Sequence, residues 1–530
     1  MQPHMSYDDV AWEKSEEITD TWVLQFFDPN IARPVGDFLL KNHEPDYPLR
    51  FSLLGKGTYN IAFWMSYKTG VAATIRFPLP GAAMFLEEKL RNEVAIMRYL
   101  HDATSIPVPF ILHCGSKKES PLELGPFIIM EYVEHDTNMY DLLNIPNYPP
   151  AERGRLNPDI NEDTLQALYG ELAGVLLQLS KVHFPRIGSL SRVDDFTWEV
   201  VSRPLSMNSN ELVRLGSLPQ SELPSYETIF TSASSYFEAL AELHIANLIH
   251  QRNDAIESAD DCRRKFVGRY LFRKLAREGK LTKRWVAFDT GPFKIWCDDF
   301  RPTNVLVNND SKVTGVVDWE FTYAAPVEFS YAPPWWLLIE TPEYWPQGLE
   351  DWTNVFDRRL QTFLKAMIDR ENATATKEED RLSGPMRESW ESGDFWIAYA
   401  ARTTRAIDVI YWEKIDQRFF GPADNVEDAW RQRLDLLSDT EKDEMELLVA
   451  KKVKEMESRV LAWDPDEYTL SHIDIAKTHA AKKKLEKEKE EGEKDIPKSE
   501  DNKVEVQAIE TRPSDLDVEQ IAEKLEELSA

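Results

Sequence analysis

The 530-residue chain is short of cysteine, of positive charge and of long apolar runs, and each shortage excludes something. Its three cysteines, Cys114, Cys262 and Cys297, stand far apart and never in C-x-x-C spacing. They supply neither a disulfide framework nor a zinc site, and they fit a reducing compartment. Lys and Arg number 62 against 92 Asp and Glu, a net charge of −30. That balance excludes non-specific binding to nucleic acid or to anionic membranes, although much of it lies in the C-terminal tail. The most apolar short stretch, PPWWLLIE at 333–340, is too short to span a bilayer. The opening residues, MQPHMSYDDVAWEKSEE, turn acidic early and contain no apolar core segment, so they do not read as a signal peptide. Together these absences predict a soluble protein of the cytoplasm.

What is present is a 42% hydrophobic composition, enough for a sizeable core, and an ordered change of pattern along the chain. Residues 1–48 are mixed and aromatic and read as an N-terminal extension packed on the segment after them. Residues 51–77 read as strand–turn–strand, with a turn at Lys68-Thr69-Gly70 and breakers at Pro78, Pro80 and Gly81. Residues 85–101 have helical periodicity, and FIIMEYV at 127–133 reads as a buried strand. A long helix is expected from Asp163 to about His183, capped by Asp163 and Gln166. Residues 200–290 are mostly helical with long polar connections. Two short strands, NVLVN and VTGVVDW, come next, joined by the turn NDSK. Helices then dominate to about 460, and the Lys- and Glu-rich chain from 476 reads as a solvated helix or a disordered tail.

The expected class is therefore α+β, bilobal, with a small antiparallel sheet in the N-lobe and a mainly helical C-lobe, the order found in protein kinases. The implied division is an extension to 48, an N-lobe over 49–135 and a helical lobe over 136–420. That lobe contains a substrate region at 200–290 and a catalytic loop at 296–320. C-terminal helices over 421–475 and a charged tail over 476–530 complete the chain.

The chemistry begins in WCDDFRPTNVLV at 296–307. Asp299 and Asn304 have the D-x-x-x-x-N spacing of a kinase catalytic loop. The Asp must accept the proton of a substrate hydroxyl, and the Asn, one loop later, must reach a magnesium ion on the phosphates. Asp318 ends the second strand of the following hairpin. A hairpin sets the end of one strand beside the start of the other, so Asp318 and Asn304 should be neighbours and offer two oxygens to one hard cation. Alone, Asp318 is also a plain strand-end turn cap.

Upstream, Gly55, Gly57 and Asn60 form G-x-G-x-x-N in a strand–turn–strand, a shape that lets backbone N–H groups approach phosphate oxygens. An ordinary hairpin turn has the same composition. Arg76 stands at the strand position where kinases carry their phosphate-binding lysine. Leu86, Leu90, Glu93, Met97 and Leu100 share one helix face, and a carboxylate on such a seam needs a cation, for which Arg76 is the candidate.

Taken in order, GKGTYN, IRFP, RNEVAIMRYL, IPVPFIL, FIIMEYVE, FKIWCDDFRPTNVLV and VVDWEFTYAAPVEFSY resemble the aminoglycoside phosphotransferase family, in its large fungal branch, over roughly residues 50–340. The resemblance implies a protein-kinase-like fold, ATP and Mg2+. It assigns Asp299 as catalytic base, Asn304 and Asp318 as metal ligands, and Arg76 with Glu93 as the phosphate-anchoring pair. Gly55, Gly57 and Asn60 become the phosphate loop, and the backbone around Met130, Glu131 and Tyr132 the adenine hinge. Arg301 stands where many protein kinases carry a lysine facing the transferred phosphoryl group. The chain departs from the pattern in carrying Cys297 and Asp298 where members usually have His-Gly, and Arg rather than Lys at 76. Asp298 is left with three readings: outward-facing, paired with Arg301, or lining an acidic substrate pocket. No activation segment follows Asp318, which points to a small hydroxyl compound as acceptor. The competing expectation is a catalytically silent kinase-fold nucleotide-binding or scaffold protein. Oligomeric state has no signature in the sequence.

Overall fold

Strict alternation of burial along Asn60–Tyr67, with Ile61, Phe63, Met65 and Tyr67 inward, places one face of a strand against a core. This strand is β2 of a sheet built from β1 (Pro48–Lys56), β2, β3 (Ala72–Pro78), β4 (Ile111–Gly115) and β5 (Phe127–Glu131). The sheet is five-stranded, in the order β1-β2-β3-β5-β4, and antiparallel throughout. The computed structural model describes residues 4–149 and 152–462 and, beyond these, 467, 470, 471, 474, 477, 478 and 481. The tail expected from 476 therefore lies outside the described residues, apart from 477, 478 and 481.

Two compact units divide the chain. One holds residues 13–90 and 110–132; the other holds the residues before 13, then 91–109 and the described chain from 133 to 462. A single boundary near 135 is thus too simple, because helix α3 (Leu86–Ala103) is itself shared between the units. The seam read on α3 is a core seam, with Leu86, Leu90, Glu93, Met97 and Leu100 all buried.

Residues 1–48 contain two helices that were not foreseen, α1 (Asp9–Leu24) and α2 (Pro29–Asn42). Asp28 caps α2 by accepting the Asn30 N–H, and Pro29 opens its first turn, where a missing N–H costs nothing. In the sheet unit α1 is stitched to the chain after β3: Ser15 Oγ donates to the Gly81 carbonyl at 2.8 Å and Thr19 Oγ1 to that of Pro80 at 2.9 Å. Gly81 is required there, since it has φ +85° and a Cβ on it would lie 2.8 Å from Ile18.

In the helical unit, α4 (Met139–Leu143) and α5 (Glu162–Ser180) follow β6 (Thr137–Asn138). The cap of α5 differs from expectation: Asn161 accepts the N–H groups of Asp163 and Thr164, while Gln166 reaches out to Asp369 at 2.8 Å. An Asn one residue before the acidic pair satisfies two orphan amides at once, which Asp163 inside the helix does not. A short strand β7 (His183–Phe184) and a hairpin, β8 (Ser189–Arg192) with β9 (Trp198–Ser202), precede the helices of the 200–290 region. Those helices are α6 (Met207–Leu215), α7 (Ala233–His250) and α8 (Ala259–Arg277). The buried Arg269 on α8 grips Asp408 through two bonds, at 3.0 and 2.8 Å, and so fixes the later helices to this layer.

Two small sheets then frame the loop of interest. In one, β10 (Phe293–Cys297) lies between β13 (Thr322–Ala325) and β7; in the other, β11 (Val305–Val307) lies between β12 (Val313–Val316) and β6. The β11–β12 hairpin matches the sequence expectation. The β10–β13 pairing was not foreseen.

Candidate active site

Both sheets of this frame open toward the same stretch of chain. β10 ends at Cys297, paired with Thr322, and β11 begins at Val305, paired with Val316. Residues 298–304 and 317–321 must therefore run past each other. Two backbone bonds fix them: the Asp298 N–H donates to the Phe321 carbonyl at 3.2 Å, and the Val317 N–H to the Asn304 carbonyl at 2.9 Å. The second bond sets residue 318 beside residue 304. Asp318 itself adopts φ 57°, a left-handed conformation that Asp tolerates better than most residues.

Asp299 is 5% exposed. Its carboxylate accepts from Asn304 Nδ2 at 3.0 Å, the same Nδ2 donates to the Asp299 carbonyl at 2.9 Å, and Arg301 Nε lies 2.9 Å from Asp299 Oδ1. Burial pushes the Asp299 carboxyl up to about 7, Glu320 and Asp318 add to the rise, and Arg301 and the Asn304 bond oppose it. Asn304 makes both of these side-chain bonds through Nδ2, and neither engages its Oδ1. Glu320, 2% exposed and absent from the sequence-based site, belongs to this cluster through its charge on Asp299. The signal was visible in D-W-E, but a glutamate two residues after a strand end is indistinguishable from a solvated one.

Cys297 is packing, not chemistry. Its Sγ sits 3.8 Å from the Glu320 carbonyl, and burial drives the thiol far above its usual range, so it supplies no thiolate. Asp298 turns away from Arg301: Oδ1 accepts from Trp296 Nε1 at 2.6 Å and Oδ2 from the Met207 N–H at 3.0 Å.

In the sheet unit the glycine-rich turn is closed by the Gly57 N–H donating to the Asn60 carbonyl at 2.8 Å. A Cβ added at Gly55 meets no protein atom within 4 Å, and one at Gly57 meets only the Asn60 carbonyl at 3.7 Å. The glycines thus keep one side of the turn bare rather than relieving strain. Lys89, 2% exposed and missed in the sequence, donates to Asn60 Oδ1 at 3.0 Å and holds the turn's last residue to α3. Arg76 is buried on β3, opposite Ala62 on one side and Ile128 on the other. Glu93 is buried on the part of α3 that belongs to the other unit. At the end of β5 the N–H groups of Glu131 and Tyr132 are already committed, to the carbonyls of Phe110 and Ala72, each at 3.0 Å. Met130, beside them, is 8% exposed and accepts from Thr74 Oγ1 at 3.3 Å.

The donors on the catalytic loop are hard oxygens, as Mg2+ requires. Among the described residues no three His, Cys, Asp or Glu side chains form a metal-binding group by themselves. A cation at Asn304 and Asp318 would have to draw its remaining ligands from phosphate and water, the usual habit of Mg2+.

Residues 51–358 match the model of the phosphotransferase enzyme family. Among curated proteins, the chain is 22% identical over 316 residues to "Altered inheritance of mitochondria protein 9, mitochondrial" of Debaryomyces hansenii, covering 52% of this chain and 48% of that one. It is 25% identical over 140 residues to the protein of the same name from Meyerozyma guilliermondii, covering 26% of this chain and 21% of that one. The chain thus spans about half the length, or less, of these relatives. Among solved structures it is similar to an aminoglycoside phosphotransferase in ternary complex with AMP-PNP and hygromycin B, at 14% identity and TM-score 0.36, covering 71% of this chain and 96% of that one. An ethanolamine kinase of Plasmodium vivax aligns at 10% identity and TM-score 0.36, covering 77% and 86%. The expected cytoplasmic location is overturned by the curated relatives, both named as mitochondrial. Among the described residues no helix is long and apolar enough to cross a membrane.

Proposed function

This chain belongs to the phosphotransferase enzyme family, and on that footing we propose that it transfers the terminal phosphoryl group of ATP, with Mg2+, to a hydroxyl of a small molecule. The observation that carries the reading is the convergence of Asp299, Asn304 and residue 318 through the Val317–Asn304 backbone bond, inside the matched span. A binding module has no use for a buried proton acceptor at that point.

Asp299 takes the proton of the acceptor hydroxyl while that oxygen bonds to phosphorus and ADP leaves with the bridging oxygen. Asn304 Oδ1 and the Asp318 carboxylate would hold Mg2+, which would supply neutralising charge to the phosphate oxygens. Arg301 stands beside the base and offers its guanidinium to the transferred group. In the sheet unit, Gly55, Gly57 and Asn60 are read as presenting backbone to the phosphates, Arg76 as their anchor, and Met130 to Tyr132 as lining the adenine. A small acceptor is supported by the chain after Asp318, which passes through Trp319–Phe321 straight into β13 with no room for a protein-docking segment. The names of the curated relatives support a mitochondrial place of work.

The alternative, a silent nucleotide-binding scaffold, is favoured by one observation: Arg301 already occupies one oxygen of Asp299, at 2.9 Å. A panel of hydroxyl metabolites with Mg-ATP separates the two. Release of ADP matched by a phosphorylated product identifies the enzyme, and a flat panel beside intact Mg-ATP binding identifies the scaffold.

A further inference from the structure

Asp298 is the residue of the catalytic loop that the proposed chemistry leaves unused. It stands where the family pattern has a glycine, so nothing in that pattern asks for a carboxylate. Yet its N–H and both carboxylate oxygens are engaged. Its N–H bonds the Phe321 carbonyl at 3.2 Å, on the strand-to-strand turn that carries Asp318. Oδ1 takes the Trp296 indole N–H at 2.6 Å, and Oδ2 takes the Met207 N–H at 3.0 Å.

Met207 is the first residue of α6, a nine-residue helix capped by Ser206, whose side chain accepts the Ser209 N–H. A carboxylate at that end bonds one of the orphan amides and meets the positive pole of the helix. A cation stands behind it. The Arg402 guanidinium lies 4.2 Å from the Trp296 ring centre and 4.9 Å from that of Phe329; burial holds the Asp298 carboxyl above its ordinary range, and the Arg402 charge opposes that rise. One residue therefore ties together three pieces: its side chain joins the end of β10 to the start of a helix in the region expected to shape the acceptor pocket, and its backbone N–H holds the 318–321 turn.

Resting on the phosphotransferase reading, we propose that Asp298 is a positioning residue that clamps the catalytic loop to the N-terminus of α6, so that the acceptor-binding helices and Asp299 are held in one register. It touches neither nucleotide nor acceptor. Its effect is carried by the backbone that leads into Asp299.

Two variants test the clamp from its two ends. Asp298→Ala removes the carboxylate. Met207→Pro removes the N–H that meets it, together with a half-buried methionine side chain, and keeps the Asp298 carboxylate: proline suits the first position of a helix, and Ser206 already has the extended backbone, ψ 157°, that a following proline demands. Hydrogen exchange is followed in peptides covering 207–215 and 296–304, and Mg-ATP affinity and Mg-ATP hydrolysis are measured on the same full-length preparations. In both variants exchange is expected to quicken by ~10-fold in both peptides and not elsewhere. Hydrolysis should fall by roughly 10–100-fold at unchanged Mg-ATP affinity, the usual consequence of a slightly misplaced catalytic group. Quickening confined to 207–215 with hydrolysis intact would reduce Asp298 to a helix cap and overturn the proposal, as would quickening spread over the whole chain. Should Asp298→Ala fail to fold, Met207→Pro decides alone. If the wild-type protein neither binds nor hydrolyses Mg-ATP, the phosphotransferase reading fails on its own, and the exchange of 296–304 still decides the clamp.

Discussion

Arg301 lies 2.9 Å from the Asp299 carboxylate, two residues away along the chain, and is the main influence holding that buried group ionised. Asp299 has to be unprotonated to accept a proton, and burial, with Arg301 already pulling against it, leaves the carboxyl raised to about 7. Activity should then rise as pH passes through that range. Arg301→Gln removes the opposing charge, so the acid limb of the kcat profile should move to higher pH. An unmoved limb in Arg301→Gln would separate the arginine from the base.

Gly55 tests the phosphate loop without disturbing the fold. A methyl added there meets no protein atom within 4 Å. Gly55→Ala is expected to leave the melting temperature within a degree or so, while weakening Mg-ATP binding by ~10-fold, about 1.4 kcal/mol. Wild-type affinity by calorimetry would show that the loop does not approach the nucleotide.

Glu328 carries a pH signature of its own. It is 5% exposed, neither carboxyl oxygen has a hydrogen-bond partner among the described residues, and burial pushes it up to about 8, with Asp289 and Asp394 adding to the rise. A carboxyl raised above its unfolded value holds its proton more tightly in the folded state. Its penalty is absent below pH ~4.3, grows as pH climbs and is complete above about 8. Glu328→Gln should therefore stabilise the protein by ~1–3 kcal/mol at pH 8 and by almost nothing at pH 4. Urea midpoints at the two pH values check this; equal shifts at both would mean that Glu328 is not the titrating group.

The helix cap of α5 offers a purely structural check. Asn161→Ala should cost ~0.5–2 kcal/mol in denaturant unfolding, because two N–H groups lose their acceptor. Asp163→Ala should cost a fraction of that. The reverse order would restore the cap read from the sequence.

These cases also mark what the sequence could convey. The β11–β12 hairpin was legible because two β-branched runs flank a polar turn, and with it came the adjacency of residues 304 and 318, a necessity of hairpin geometry. The seam of α3 was legible because periodicity is local. The pairing of Cys297 with Thr322 was not, since each of β10 and β13 is a short apolar stretch whose partner is fixed only by the fold. Asp298 was undecidable for the same reason: its partner Met207 is 91 residues away, and Arg402 is farther still. The α5 cap failed differently. Asn161, Glu162 and Asp163 run together, and each residue type is acceptable near a helix start, so composition could not say where the first turn begins. The helices of 1–48 were hidden by Pro29 and Pro34, the second of which lies inside α2.

Turnover of Asp299→Asn bears most directly on the proposed chemistry. The substitution keeps the shape of the side chain and an acceptor for Asn304 Nδ2, so the fold and Mg-ATP affinity should persist. With the acceptor metabolite identified by the panel, or with water in its place, kcat is expected to fall by ~10²–10⁴-fold, the usual contribution of a positioned general base. A kcat equal to wild type, in protein that binds Mg-ATP normally, would remove Asp299 from the reaction and with it the proposed mechanism.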